Sequence, residues 1–318
     1  MLVEKHNVSF ADMPFHIELY SATNEQPHYH ENALEILLCL SGNIEITSST
    51  EHGVFEAGDI MSFDPADIHF TKGECNNLLL SFYFDINSSA YETIGLYNMT
   101  FNCNKHMPGR HERILNTLDV LKSELLTLTT AYFYPQTTPE QSGKTMLKLA
   151  QRIVRNMADN FLYLALDNDI NDYSDDFKKR FAEITSYIQT HYREKITLQQ
   201  LSSLAHIDAT YLSHIFKTID SDGFKSYLYK IRIYHSEHLL LEHPELNIPD
   251  ISYMCGFSDV KIYHREFKKN FYGITPHKYL LQYRNYSKIV EPNTYHDITS
   301  IPEDFKLLLL KSFLSIHC

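Results

Sequence analysis

Two stretches decide the fold of this chain: FKTIDSDGFKSYLYKIR at residues 216–232 and FKKNFYGITPHKYLLQYR at residues 267–284. Each stretch opens with Phe-Lys, continues through Tyr-Leu and ends on an Arg five residues after the Tyr. The offset between the copies is 51 residues at the Phe-Lys pair and 52 at the Arg. Self-similarity at a fixed period is typical of one supersecondary unit built twice.

Each copy belongs to a unit made of a helix, a tight turn and a second helix. The turn falls at residues 206–207 in the first unit and at residues 256–257 in the second, where Gly256 permits a positive φ. Asp208 or Ser258 then stands where a side chain can cap the next helix. This order of parts is that of a helix-turn-helix motif, whose second helix lies in the DNA major groove.

A long helix is predicted between the two units. The second helices are expected at residues 209–218 and 259–270, and apolar residues recur at helical spacing over residues 224–242 between them. Pro244 limits the end of this joining helix. A helix of about 19 residues extends roughly 28 Å, close to the roughly 34 Å between successive major-groove faces. One chain could therefore place two recognition helices in adjacent turns of a duplex.

The segment from residue 188 to residue 284 resembles the DNA-binding domain of AraC/XylS-type transcription regulators. The most specific part of the resemblance is Gly-Ile-Thr-Pro at residues 273–276, with Tyr279 and Arg284 after it. At three positions a serine stands where the family usually packs a small alanine between helices: Ser202, Ser236 and Ser252. Ser221 stands where the family usually has a glycine at the end of the first recognition helix.

Charge is divided unevenly along the chain. Its 318 residues favour two domains, and its formal net charge is −12. Residues 1–180 alone have a net charge of −12, whereas residues 181–286 have +1. A cluster of Lys and Arg on the second recognition helix stands out against this near-neutral background. We therefore expect modest non-specific DNA binding that depends on a second chain or site.

The cysteines and the apolar runs indicate a cellular compartment. The five cysteines are scattered without metal-type pairing, which fits reduced thiols in the cytosol. We find no signal peptide and no apolar run near the roughly 18 residues that a membrane helix needs. The sequence predicts a soluble, cytoplasmic protein with no membrane contact.

Short strands and turns fill the first part of the chain, residues 1–104. Residues 15–20 alternate between apolar and polar types, and residues 34–40 form a nearly continuous apolar run, typical of a strand buried on both faces. A hairpin is indicated at residues 41–43. Many short strands with regular turns favour a small barrel or sandwich.

A second resemblance is carried by this region. The spacing of His28, His30, Glu35 and Gly42 matches the first motif of the cupin barrel, and His69 stands at the place of a later motif residue. Together, the two resemblances imply an α+β chain: an N-terminal cupin-like β-barrel with two amphipathic helices, then an all-α domain with two helix-turn-helix units.

The histidines and Glu35 allow three interpretations. His28 and His30 are two residues apart and face the same side of a strand. With Glu35 and His69 they could bind a divalent metal through three nitrogens and one oxygen, hydrogen-bond a polar organic ligand, or have only a structural role. We assign all four as ligand-binding residues, with no metal and no other cofactor.

The remaining segments follow from changes of periodicity. Apolar residues recur every three or four positions over residues 105–166, which predicts a pair of antiparallel helices, either covering the barrel or pairing across a dimer. The acidic residues 167–176 are interpreted as a linker and residues 177–286 as the DNA-binding domain. The sequence gives no role for the tail, residues 287–318.

Base contacts come from the N-terminal half of a recognition helix. On the first recognition helix, the candidates share one face: Thr210, Ser213, His214 and Lys217. On the second they are Asp259, Val260, Lys261, His264, Arg265 and Lys268. Arg265 is expected to read a base, and Lys268 and Lys269 to contact phosphate or to pack. The residues predicted from their spacing to face the core are Leu212, Ile215, Phe216, Tyr263 and Phe267.

These observations predict a DNA-binding transcription regulator rather than an enzyme. Its expected partners are promoter DNA, a small-molecule effector in the barrel (by default a carbohydrate), a second copy of the chain and RNA polymerase. One alternative is a metal-dependent cupin enzyme with a helical appendage, and another is a DNA-binding protein whose ligand-free sensor responds to a protein partner. The duplicated motif opposes the first alternative, because an enzyme has no need of two spaced recognition helices.

Overall fold

The structure, a computed structural model, describes residues 2–48, 52–73, 76–92, 101–105, 112–135, 137–161, 174–219, 222–271, 273–286, 290–291 and 293–295. The chain divides into two compact units. We call Lys5–Tyr163 with Val290–Cys318 the sheet unit, and Met1–Glu4 with Leu164–Ile289 the helical unit. Most of the predicted linker, at residues 167–173, and the tail from residue 296 onward lie outside the described residues.

Among the described residues, ten strands form two five-stranded sheets. They are β1 (Glu4–Lys5), β2 (Phe15–Ser21), β3 (His28–Tyr29), β4 (Ala33–Ser41), β5 (Asn43–Ser48), β6 (His52–Glu56), β7 (Ile60–Phe63), β8 (His69–Lys72), β9 (Leu78–Asp85) and β10 (Thr294–Tyr295). One sheet has the order β1-β3-β8-β5-β6 and the other β10-β2-β9-β4-β7. A 3₁₀ turn at Ser89–Tyr91 follows β9.

Strand β4, in the second sheet, is buried on both of its faces. On one face, alternate residues of β2, β4 and β9 pack with two helices, α1 (Glu112–Phe133) and α2 (Pro139–Asn160). On the other face, Leu37 and Cys39 of β4 pack with side chains of the first sheet, including Ile44 and Phe55. This double burial explains why β4 is an almost unbroken apolar run.

The helical unit contains α3 (Asp175–His191), α4 (Leu198–Ala205), α5 (Ala209–Ile219), α6 (Phe224–Glu242), α7 (Ile248–Met254), α8 (Val260–Asn270) and α9 (Pro276–Tyr286). The order α4-turn-α5 and α7-turn-α8 gives two helix-turn-helix units, and α6 joins them with 19 residues. The predicted α+β class and the long joining helix are confirmed. No helix of the described residues is long and apolar enough to cross a membrane.

The two turns have the same backbone conformation but different residues. His206 has φ of 52° and Gly256 has φ of 82°, both in the left-handed region. In each unit the backbone N–H of the residue after this position bonds to a carbonyl oxygen of the preceding helix. Ile207 N donates to Ser202 O at 3.2 Å, and Phe257 N donates to Ser252 O at 3.1 Å. The duplication seen in the sequence therefore extends to the backbone.

Two of the three serines at alanine positions lie fully buried. Ser236 Oγ donates to the carbonyl oxygen of Ile233 at 2.7 Å. Ser252 Oγ has no hydrogen-bond partner, although the residue is 0% exposed. A buried hydroxyl without a partner is destabilising, so Ser252 weakens the packing of α7 relative to an alanine.

Candidate DNA interface and effector cavity

The recognition helices present their predicted polar faces to solvent. Of the ten candidate residues, seven are exposed and three are half-buried. The exposed ones are Thr210, His214, Lys217, Asp259, Lys261, Arg265 and Lys268, and the half-buried ones are Ser213, Val260 and His264. Solvent access is what base or phosphate contact requires, and the assignment of these contacts stays a prediction.

The opposite faces anchor both helices. The five residues predicted to face the core are all buried, with exposed fractions of 0 to 2%: Leu212, Ile215, Phe216, Tyr263 and Phe267. In the second unit Phe267 packs edge-on against Tyr263 and Tyr279, with ring centroids 5.7 and 5.5 Å apart. Aromatic contacts of this geometry stabilise the helix position beyond area burial alone.

An aspartate caps each recognition helix. Asp208 Oδ1 accepts from the backbone N–H groups of Thr210 and Tyr211 at 2.9 and 3.0 Å. In the second unit the cap is Asp259, whose Oδ1 accepts from Lys261 N at 2.7 Å. The expectation that Ser258 caps this helix is therefore wrong, because the helix begins one residue later. Asp259, named above as a DNA contact, has its carboxylate committed to the cap.

Arg265 is oriented by its neighbour. Its Nε and Nη2 atoms donate to Glu266 Oε1 at 2.9 and 2.6 Å, while the Arg265 side chain stays 66% exposed. Glu266 is 6% exposed and is held by the fold. The ion pair raises the pKa of Arg265 and restricts its guanidinium group. Sequence reasoning missed this positioning role of Glu266.

The two arginines repeated between the copies have different environments. Arg232 is buried, and its Nε and Nη2 atoms donate to the carbonyl oxygens of Tyr192 and Glu194, both at 2.7 Å. Arg284 is exposed, and its Nη2 donates to Pro244 O at 3.1 Å. Arg232 is thus internal to the unit, and it joins α6 to the end of α3.

In the sheet unit, four side chains converge at one point. His28 and His69 are cross-strand partners on β3 and β8. One potential ligand atom from each of His28, His30, Glu35 and His69 lies within 4.8 Å of the others, and all four residues are buried. Glu35 Oε2 is 3.3 Å from His30 Nε2 and 3.1 Å from His69 Nε2. The sequence predicted these residues, and the structure brings them together.

The outer ring nitrogens of the three histidines are tied to the backbone. The Nδ1 atoms of His28, His30 and His69 lie 2.9, 3.0 and 2.8 Å from the carbonyl oxygens of Gln26, His6 and Asp67. A carbonyl can only accept, so each Nδ1 carries a proton. In the neutral ring the lone pair is then on Nε2, which faces the centre of the cluster.

The electrostatics of the cluster depend on Glu35. Burial opposes ionisation of Glu35, but contact with His30 and His69 holds its pKa well below the usual value. Glu35 in turn raises the pKa of His69 against the effect of burial. Burial and the neighbouring imidazoles hold the pKa of His28 well below its usual value. The cluster therefore combines a carboxylate with at least one neutral imidazole.

The four side chains fit a divalent metal ion. His30 Nε2 and His69 Nε2 are buried and face Glu35 Oε2, at 3.3 and 3.1 Å, rather than a separate hydrogen-bond partner. Two ligands about 2.1 Å from one tetrahedral ion lie about 3.4 Å apart, close to the contacts seen. Backbone carbonyls that hold Nδ1–H are the usual outer support of metal-bound histidines. Our assignment of no cofactor stays a prediction.

A cavity of about 500 Å³ opens beside this cluster. His28 and His30 form part of its wall, and alternate residues of β2 form another part. His16, Glu18 and Tyr20 face the cavity because Phe15, Ile17 and Leu19 face the helices. The period-two pattern of β2 contained this information, but sequence reasoning did not use it.

Polar and aromatic groups dominate the cavity wall. Among the described residues that line it there is no Lys or Arg. Tyr20, Glu25 and Tyr83 are wall residues that sequence reasoning missed, and so are Asn293 and Tyr295 from the far end of the chain. Burial in the wall raises the pKa of Glu25.

Comparison with known proteins identifies both regions. Residues 201–282 match the family described as a helix-turn-helix domain, and residues 17–111 match the cupin family. The uncharacterized HTH-type transcriptional regulator YijO of Escherichia coli (strain K12) is 32% identical over 114 residues, covering 36% of this chain and 39% of that protein. The lactose operon transcription activator of Staphylococcus xylosus is 33% identical over 85 residues, covering 27% of this chain and 30% of the activator.

The chain thus spans less than two fifths of the length of these curated relatives. Among solved structures, ToxT from Vibrio cholerae is similar over 84% of this chain and 97% of its own, with 14% identity and a TM-score of 0.41. The chain thus has a cupin-family match followed by a helix-turn-helix-family match, and it is similar to relatives named as HTH-type transcriptional regulators.

Proposed function

We propose that the chain is a sequence-specific DNA-binding transcription regulator controlled by a small molecule in the cupin cavity. One observation carries the proposal: two capped recognition helices, each with an exposed polar face, are joined by a helix of 19 residues. At about 1.5 Å per residue this helix extends roughly 28 Å, near the spacing of successive major-groove faces. Promoter DNA as the partner implies a cytoplasmic protein.

The cavity supports a neutral, polyhydroxylated effector such as a carbohydrate. Carboxylates of Glu18 and Glu25 and the phenols of Tyr20 and Tyr83 line it, so hydroxyl groups of a ligand meet both acceptors and donors. The absence of Lys and Arg from the described lining disfavours an anionic ligand. A relative named for the lactose operon supports the same class.

The proposal also includes the assembly of two copies of the chain into a dimer. We assign residues 105–166, which contain α1 and α2, to dimerisation, and residues 177–286 to DNA binding. The exposed fractions of Leu115 and Val120 on α1 are 41% and 52%, which supports an apolar contact with a second copy. RNA polymerase remains part of the proposal as the partner at a promoter.

The test is footprinting of the full chain on DNA upstream of its own and neighbouring genes. We expect a protected site with two half-sites per chain, separated by one helical turn. Arg265→Ala should weaken specific binding by about 1–3 kcal/mol and relax preference at one base position. Lys278→Ala, an equal charge change on exposed α9, is the matched control and should leave binding unchanged. A footprint that responds equally to both variants, or no footprint at all, would contradict the proposal.

A second candidate function is a metal-dependent cupin enzyme, favoured by the fit of His28, His30, Glu35 and His69 to a metal ion. A bound divalent ion would supply a Lewis acid at the cavity wall. Metal analysis of the purified chain separates the candidates when combined with footprinting. Stoichiometric metal together with turnover of a small molecule, and no protected DNA, would favour the enzyme.

A further inference from the structure

The described part of the C-terminal tail belongs to the cavity. Strand β10 pairs antiparallel with β2, with Thr294 opposite Ser21 and Tyr295 opposite Tyr20. Residues 290, 291, 293 and 295 all line the cavity. We call the described residues 290–291 and 293–295 the C-terminal strap.

Backbone and side-chain bonds hold the strap on the loop after β2. Glu291 N donates to Asn24 O at 2.9 Å, and its carbonyl oxygen accepts from Thr23 Oγ1 at 2.9 Å. Asn293 Oδ1 accepts from Thr23 N at 3.2 Å. Asn293 Nδ2 donates to Glu25 Oε1, and Thr71 Oγ1 donates to Glu25 Oε2 at 2.9 Å. The strap is therefore bonded to the wall at several points rather than merely resting on it.

The strap also contacts a polar network that reaches the histidine cluster. The rings of Tyr295 and Tyr20 have centroids 5.7 Å apart. Tyr20 Oη lies 3.3 Å from Ser81 Oγ, and Ser81 Oγ donates to Glu35 Oε1 at 2.8 Å. A ligand that moves Tyr20 or Glu25 thus changes the contacts of these residues with Tyr295 and Asn293 of the strap.

We propose that the C-terminal strap is part of the effector-binding site, where Asn293 and Tyr295 contact a neutral polyhydroxylated ligand and the ligand fixes the strap on β2. Val290 follows Tyr286, the last residue of α9, by four positions. Ligand binding is therefore coupled through the covalent chain to the end of the second helix-turn-helix unit. This inference rests on the proposed function and adds both a ligand contact and the route by which the ligand acts.

The chemistry of the strap suits this ligand class. Asn293 Oδ1 has a second lone pair beyond the bond from Thr23 N, and a ligand hydroxyl can donate to it. The Tyr295 side chain is 64% exposed beside Tyr20, so an apolar ring face is available for stacking against a sugar ring. The strap carries no Lys or Arg among its described residues, in agreement with the rest of the wall.

The first experiment uses the absence of tryptophan from the chain. Tyr295→Trp introduces a single indole into the full-length protein at the cavity wall, and Tyr253→Trp introduces one at an exposed site of α7 as the control. Both proteins are titrated with lactose and with neutral monosaccharides. We expect the emission of Tyr295→Trp to shift on sugar binding and that of Tyr253→Trp to stay constant.

Affinity is measured by calorimetry on the same sugars. Asn293→Ala should weaken sugar binding about tenfold, as loss of one hydrogen bond to a polar ligand network predicts. Thr294→Ala, in the same strand but outside the cavity lining, should bind as the wild type does. Sugar binding that Asn293→Ala leaves unweakened and that does not change the emission of Tyr295→Trp would refute the role of the strap in ligand binding and leave the proposed function standing.

A cross-link tests the strap without any ligand. Cα partners on antiparallel strands lie about 4.5–5.5 Å apart, within the range of a disulfide, so Ser21→Cys with Thr294→Cys can lock the strap on β2. We expect DNA affinity to differ at least severalfold between the oxidised and reduced double variant. Equal DNA affinity of the oxidised and reduced protein would refute the coupling between strap and DNA binding, even if no sugar bound. A missing footprint in both states would instead refute the proposed function.

Discussion

At the scale of single residues, the duplicated turn contains a non-glycine residue in a conformation that favours glycine. His206 has φ of 52°, whereas Gly256 has φ of 82° at the equivalent position of the second unit. The left-handed region costs an ordinary L-residue roughly 1–2 kcal/mol. His206→Gly removes that strain. It also increases the conformational freedom of the unfolded chain, which offsets about 0.5–1 kcal/mol of the stability gained.

We therefore expect His206→Gly to stabilise the protein by about 0.5–1 kcal/mol in urea unfolding. The paired variant is Gly256→Ala, whose added Cβ would lie 2.5 Å from the carbonyl oxygen of Arg193. Strain and collision together should destabilise it by more than about 1 kcal/mol. A loss of stability in His206→Gly would show that its imidazole has a stabilising contact that outweighs the strain.

Residue identity predicted side-chain chemistry better than it predicted hydrogen-bond partners. Ser258 and Asp259 are both good caps by type, and only the start of α8 at Val260 decides between them. The tautomers of His28, His30 and His69 are set by backbone carbonyls of residues 26, 6 and 67, which no local pattern reveals.

At the scale of elements, α6 is held against the end of α3 by two neighbouring side chains. Arg232 donates to two carbonyl oxygens there, and the His235 ring stacks on Tyr192 with centroids 3.9 Å apart and planes 7° apart. Burial, with the nearby charges of His238 and Arg193, lowers the pKa of His235 to about 4. His235 Nε2 is buried without a hydrogen-bond partner.

This environment makes the docking of α6 sensitive to acid. The unfolded histidine titrates near 6.5, so between about pH 6.5 and 4 the unfolded chain binds more protons than the folded chain. The stability that neutral His235 provides is complete above about pH 6.5 and is lost as the pH falls towards 4.

His235→Phe keeps the stacked ring and removes the titrating group. From pH 7 to pH 5 we expect the wild type to lose about 1–2 kcal/mol more than His235→Phe, measured by urea unfolding at both pH values. Parallel losses in the two proteins would show that other groups cause the acid sensitivity.

Periodicity predicted the elements because each pattern reports one local geometry. Helical spacing over residues 224–242 coincides with α6, and the continuous apolar run of β4 reports its burial on both faces. Periodicity carries no information about which distant segments meet. Asn293 and Glu25 are 268 residues apart, so the wall formed by the C-terminal strap could not be predicted from the sequence.

At the scale of the whole molecule, charge is separated along the chain. Residues 1–180 have a net charge of −12 and residues 181–286 have +1. The acidic part contributes repulsion from DNA, while the exposed cations on the recognition helices contribute local attraction. Non-specific binding should therefore be weak and specific binding should depend on a few contacts.

Those few contacts are separable by their dependence on salt. Lys268 is exposed in the last turn of α8, where we predict a phosphate contact. Arg265 is held in orientation by Glu266, and we predict that it contacts a base edge. Because each neutralised phosphate releases counterions, the slope of log affinity against log salt concentration reports the number of phosphate contacts.

We expect Lys268→Ala to reduce that slope by about 1 while the preferred DNA sequence stays the same. Arg265→Ala should instead relax the preference at one base position. Both are measured on the full chain by fluorescence anisotropy at several salt concentrations, with Lys278→Ala as the control for loss of a positive charge outside the recognition face. If Lys268→Ala and Lys278→Ala change the slope equally, the cation of Lys268 acts only through net charge, and the phosphate contact assigned to the end of α8 is wrong.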